Sequence, residues 1–152
     1  MSLKVLQVID TLNVGGAEKI TVMIGNLMVK KGHDSGVLTI IETGLLSNKL
    51  NNNIKYFNLK RSSKWGILSG IKFMKISRDY DLLHIHLRHN LEWVLFWSII
   101  FRQKFNIIFH DHFNKPLKKN LVFKLQKNNI SYITVNKHLY NLESSNKKYF
   151  IK

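Results

Sequence analysis

The chain has 152 residues, with 24 Lys and Arg against 9 Asp and Glu, for a formal net charge of +15. A 45% hydrophobic and 11% aromatic content with a single proline excludes a disordered basic tail and places the charge on one packed domain, residues 1–152. The absence of cysteine excludes disulfide scaffolds, thiol nucleophiles and cysteine-based zinc knuckles, and fits a reducing compartment.

No secretory leader is expected, because Met1-Ser2-Leu3-Lys4 leads into an apolar run that stops at Asp10. The longest apolar stretch, Leu91 to Phe101, contains Glu92 and Ser98 and falls short of the ~20 residues of a spanning helix. The charge is uneven: residues 115–152 hold nine Lys and one Glu, so a quarter of the chain carries about half the excess. Such a run is either a solvated face or the footprint of an anionic partner.

In chain order, Lys4 to Ile9 is a short β-branched run that predicts a buried strand, and Thr11 to Gly16 cannot continue it. From Ala17 the spacing is helical, with Ala17, Ile20, Ile24, Leu27 and Met28 on one side and Gly32 as the stop. Val37 to Ile41 and Ile54 to Leu59 predict two more strands, with a loop over Ser47 to Asn53. Ser62 or Ser63 caps a second predicted helix, its apolar face formed by Ile67, Leu68, Ile71 and Met74. Leu82 to Leu87 predicts a strand, and Asn90 then caps a nearly all-apolar helix running to Arg102. Phe105 to Phe109 and Ile130 to Val135 predict the last strands, around a fourth helix from Pro116 through Leu125.

Strands alternating with helices predict an α/β fold: a Rossmann-like, doubly wound, mostly parallel sheet with helices on both faces. In such sheets ligands sit beyond the carboxyl ends of the strands, where strand order reverses. That rule gathers Asp10 to Gly16, His86, Arg88 to Asn90, His110 to Asn114 and Asn136 to His138 at one edge. The Gly15-Gly16 pair before a helix suits a phosphate or carboxylate, whose charge the free N–H groups and the helix dipole favour. The loop has neither the G-x-G-x-x-G of a dinucleotide fold nor a Walker lysine. His84 and His86 point the same way on one strand, and His110 and His112 repeat the pattern on the next, while Asp111 alternates to the other side. Four imidazoles suit a metal, an acid/base role or plain hydrogen bonding at the sheet edge. No serine stands in a nucleophile-elbow context, so a Ser-His-Asp hydrolase has little support. Trp93, Phe96, Trp97 and Phe101 read as core, and the lysines at 115, 118, 119, 124 and 127 as a solvated helix or a surface for an anionic bilayer.

The run from Val5 to Glu18, VLQVIDTLNVGGAE, resembles the opening of the N-terminal domain of retaining GT-B glycosyltransferases of the glycosyl transferase family 4 type. The resemblance continues in Lys31-Gly32-His33-Asp34, in Asp81 to His86, in His110-Asp111 and in Tyr132 to Asn136, and so covers nearly the whole chain in order. It implies that this is the acceptor-side half of a two-domain enzyme, with the nucleotide-sugar domain absent from the chain, whose paired-glutamate motif is missing. It implies transfer of a sugar from a nucleotide-sugar to a glycan or lipid-linked acceptor with retention, as in bacterial surface polysaccharide synthesis.

By the same resemblance, Gly15 and Gly16 approach the donor diphosphate, and His110 contacts the reacting sugar or acceptor. Asn13, His86 and Arg88 line the acceptor side, and Asn136 stands where relatives usually have Ser. No metal and no other cofactor is expected. The implied location is cytoplasmic, peripheral to an anionic inner membrane face, with no nucleic-acid partner and with this half inactive alone. The rival reading is a non-catalytic basic α/β module that binds nucleic acid or an anionic membrane, with affinity falling steeply with salt.

Overall fold

The computed structural model describes residues 2–112, 129–134 and 148–150. Among the described residues, seven strands form one sheet in the order β3-β2-β1-β4-β5-β6-β7, every neighbouring pair parallel. They are β1 (Lys4–Ile9), β2 (Asp34–Thr39), β3 (Lys55–Asn58), β4 (Leu82–His86), β5 (Asn106–Asp111), β6 (Asn129–Thr134) and β7 (Lys148–Phe150). The helices are α1 (Gly16–Lys30), α2 (Ile67–Ser77) and α3 (Arg88–Ile100). The expected α/β, Rossmann-like architecture is therefore present. The predicted helix after Pro116, its lysines and Asn136 lie outside the described residues.

The central strand β1 is buried from Val5 to Ile9, as a strand covered on both faces must be. Leu6 and Val8 point into a cluster with Phe73 and Met74 of α2 and Trp93 and Trp97 of α3. Ile9 points the other way, where Val37 of β2 and Val22 of α1 complete a second cluster. The chain runs outward from β1 through β2 to β3, then returns to place β4 on the opposite side of β1. The carboxyl ends of β1 and β4 thus form the switch point at which loops diverge.

Helix α1 ends as expected at Gly32, which takes φ +79 and lets Gly32 N–H and His33 N–H donate to the carbonyls of Val29 and Met28. Its inward face differs from the expected one: Thr21, Val22 and Gly25 are buried, while Leu27 is 47% exposed. Small residues let the helix approach the sheet, where a methyl on Gly25 would be in ordinary contact with Val37 and Ile54.

The same substitution of small residues for large corrects α2. Ser69, Gly70, Phe73, Met74 and Ser77 face inward, and Ile67 and Leu68 are 67% and 75% exposed. Gly70 receives the indole of Trp97, so the helices meet where the side chain is smallest. The helix begins at Ile67 behind Gly66 instead of at a serine cap, and the Ser63 hydroxyl accepts from Gly66 N–H at 3.2 Å in the preceding turn.

Helix α3 begins at Arg88, two residues before the expected cap, and the Asn90 amide lies in its first turn donating to the His86 carbonyl at 2.9 Å. Strand β2 begins at Asp34, because Ser35 and Gly36 are drawn into the sheet beside β1. The expected loop after Ser47 overlaps a short 3-10 helix, Leu45–Lys49.

Candidate functional site

Register brings the polar groups together. Gln7 pairs with His84 across β1 and β4, and His86 pairs with His110 across β4 and β5. Paired residues share a face, so Gln7, His84, His86 and His110 all project to the α1 side, near the carboxyl ends of three adjacent strands. His84, His86 and His110 are 5%, 0% and 2% exposed. Ring centroids lie 4.4 Å apart for His84 and His86, 5.5 Å for His86 and His110, and 4.2 Å for His110 and His112. His112 is half-buried and closes the group toward the surface.

The hydrogen bonding is incomplete. His86 Nε2 lies 3.0 Å from Gln7 Oε1, and its Nδ1 lies 3.2 Å from His112 Nε2. With the amide oxygen of Gln7 assigned to face the ring, Nε2 carries the proton and Nδ1 is the lone-pair atom. Nε2 of His84, both ring nitrogens of His110 and Nε2 of Gln7 are buried without a partner. Each such group typically costs about 1–3 kcal/mol when left unpaired.

Burial, reinforced by the neighbouring imidazoles, lowers the pKa of His84 to about 3 and that of His86 well below the ordinary histidine value. Burial and then His112 lower His110 to about 4, with Asp111 acting in the opposite direction. His112 is also lowered, by burial, against the opposing pull of Asp111 and Glu18. The cluster is therefore neutral at pH 7. Neutral imidazoles with such low basicity are weak general bases; they suit hydrogen bonding or metal ligation better.

The other expected residues divide between two places. Gly15 is the extended N-cap of α1 and Gly16 its exposed first residue. A Cβ on Gly16 would meet nothing within 4 Å, while one on Gly15 would run into the carboxylate of Glu18. That carboxylate also acts on His112, which ties the helix end to the histidine group. Asn13 is exposed, and its amide donates to Glu42 instead of facing the histidines. Arg88 faces the other side of the sheet edge: its Nε donates to Asp111 Oδ1 at 3.1 Å and its terminal nitrogen to Oδ2 at 2.5 Å. Beside it, exposed His89 contacts the Asp10 carboxylate.

Gln7 and Glu18 escaped the sequence reading of the site. Gln7 had a usable signal, as the one polar side chain inside an otherwise apolar buried strand. The comparisons with known proteins add no identity: no protein-family model and no curated protein matches this chain. No helix among the described residues is long and apolar enough to cross a membrane.

Proposed function

We propose that this chain is the acceptor-side domain of a retaining GT-B glycosyltransferase, which moves a sugar from a nucleotide-sugar to a glycan or lipid-linked acceptor. The observation that carries the reading is that, at the switch point of a parallel sheet, Glu18 in the first turn of the helix opened by Gly15 and Gly16 acts on His112 of the group made by His86, His110 and His112. The sequence resemblance supplies the activity, and the fold is compatible with it.

In this mechanism the first-turn N–H groups of α1 and the positive end of its dipole face the diphosphate of a donor held by a second domain. They stabilise the charge that grows on the leaving group as the glycosidic bond to it breaks. A neutral His110 would orient the sugar or acceptor by hydrogen bonding, which requires local opening, since the ring is 2% exposed as described. Arg88, held in a fork by Asp111, shapes the rim.

The test is a transfer assay with nucleotide-sugars and a lipid-linked acceptor, on this chain alone and on the protein encoded with its downstream sequence. The longer protein is expected to turn over with retained anomeric configuration and the chain alone to be inactive. Robust turnover by the chain alone would refute its role as half an enzyme.

A second reading, a module that binds an anionic membrane, is favoured by one feature. Trp65, Ile67, Leu68 and Ile71 form an exposed apolar stripe beside Arg61, Lys64 and Lys72. Salt-sensitive sedimentation with anionic vesicles, but not with neutral ones, would support it.

A further inference from the structure

We propose that His84, His86 and His110 form a binding site for a single zinc ion, with His112 beside it as an additional imidazole. Each of the three residues offers one ring nitrogen, and these atoms already lie within 4.8 Å of one another. Tetrahedral zinc with bonds of ~2.0–2.1 Å brings its nitrogen ligands to roughly 3.3 Å apart, so side-chain rotation closes the remaining gap. Register sets the three side chains on one face of the sheet.

Three independent features point to a cation. First, the ligands are of one chemical type, neutral nitrogen, which suits zinc and its neighbours and does not suit calcium or magnesium. Second, Nε2 of His84 and both nitrogens of His110 are buried without hydrogen-bond partners, and metal ligation relieves the first and one of the two on His110. Third, Gln7 Oε1 lies 3.0 Å from His86 Nε2 and holds the ring with Nδ1 as its lone-pair atom, the outer-shell arrangement that orients a metal-binding imidazole. His112 Nε2, 3.2 Å from that Nδ1, occupies the place a metal would take and must turn aside or join the ligand set. The site shares His86 and His110 with the group used in the transferase reading, and a zinc-bound His110 would no longer be free to orient a sugar; zinc binding itself does not depend on that reading, since a chain with no role in sugar transfer would bind zinc equally well.

The experiment titrates the full chain with Co²⁺ as a spectroscopic probe and then displaces it with Zn²⁺. One equivalent of Co²⁺ should give the visible d–d bands of a low-symmetry nitrogen site, Zn²⁺ should abolish them, and zinc should raise the unfolding temperature. His84→Ala and His110→Ala should lose the bands, while His33→Ala, at the opposite end of the sheet, should keep them. Gln7→Met roughly keeps the side-chain volume and removes the orienting hydrogen bond, so it should weaken metal affinity by about 10–100-fold. X-ray absorption of the wild-type zinc complex should show at least three imidazoles, which keeps the proposal decidable if a histidine variant fails to fold. Absence of the bands, fewer than three imidazoles, or unchanged affinity in Gln7→Met would overturn it.

Discussion

Gly16→Ala separates a ligand-approach role from a folding role for the glycine pair. The added methyl projects into space with no heavy atom within 4 Å, and Gly16 is absent from the glycines that take a positive φ. Its folded cost is therefore close to zero. Restricting the unfolded chain should instead raise stability by about 0.4–1 kcal/mol. If a diphosphate closes on the first-turn N–H groups, the same methyl displaces it. The loss of a charge-assisted hydrogen bond is worth about 1.5–3 kcal/mol, or roughly 10- to 150-fold in affinity. Urea denaturation followed by tryptophan fluorescence reads the first quantity, and calorimetric titration with a nucleoside diphosphate, or with inorganic diphosphate, reads the second. Gly44→Ala is the contrast, because Gly44 takes φ +77 and its methyl would strike the backbone carbonyl of Leu12, so that variant should lose stability. A Gly16→Ala protein that gains stability and binds diphosphate undiminished would show that no anion approaches this helix end, and would remove the step assigned to it.

Three further outcomes follow from the packing and electrostatics. Gly70→Ala should destabilise by about 1–3 kcal/mol in chemical denaturation despite alanine's better helix propensity, since the methyl enters the space of the Trp97 indole; a gain would mean that α2 and α3 are not so closely packed. Tyr80 has its hydroxyl buried without a partner and its pKa raised to about 12, first by burial and then by Asp79 and Asp34. The native state therefore keeps a proton that the unfolded chain releases, and this contribution to stability is present below pH 10 and is lost as pH rises toward 12. Tyr80→Phe should remove that part of the alkaline slope in denaturation curves across this range, and an unchanged slope would contradict the burial of the hydroxyl. Glu18→Gln should weaken the α1 terminus by about 0.3–1 kcal/mol while improving diphosphate affinity a few-fold, as the carboxylate favours the helix dipole but opposes an anion. Equal binding by the wild-type and Gln proteins would place the anion elsewhere.

The parts of the fold readable in advance were those where local pattern and tertiary burial agree. The largely apolar strands and the Gly32 stop are of this kind, because their residues leave the backbone few alternatives. The inward faces of α1 and α2 were not readable, since apolar periodicity identifies a stripe of large side chains. Here the close approach to the sheet and to α3 is made by Thr21, Gly25, Ser69 and Gly70, which periodicity counts as neutral. The start of β2 was hidden for a related reason: Ser35 and Gly36 look like turn residues until Lys4 to Leu6 are present to pair with them.

At the candidate site, the strand spacing correctly placed His84 and His86 on one face, and Asp111 opposite His110. Spacing carries no information on depth, however, so the near-complete burial of His110 was outside its reach. The fork from Arg88 to Asp111 was likewise hidden, as it depends on α3 beginning three residues earlier than a cap at Asn90 would set.

The return of the chain to β1 has a consequence during synthesis. Lys4 N–H donates to the Asp81 carboxylate at 2.9 Å across a separation of 77 residues, and β4 pairs with β1 just beyond that point. A ribosome adding ~5–20 residues per second leaves one edge of β1 unpaired for roughly 4–15 s after the strand emerges. Over that interval Val5, Leu6, Val8 and Ile9 form an open, uncharged strand edge of the kind that templates association between chains. Chains arrested before residue 82 should thus associate through the open edge of β1, an edge that the arrival of β4 closes.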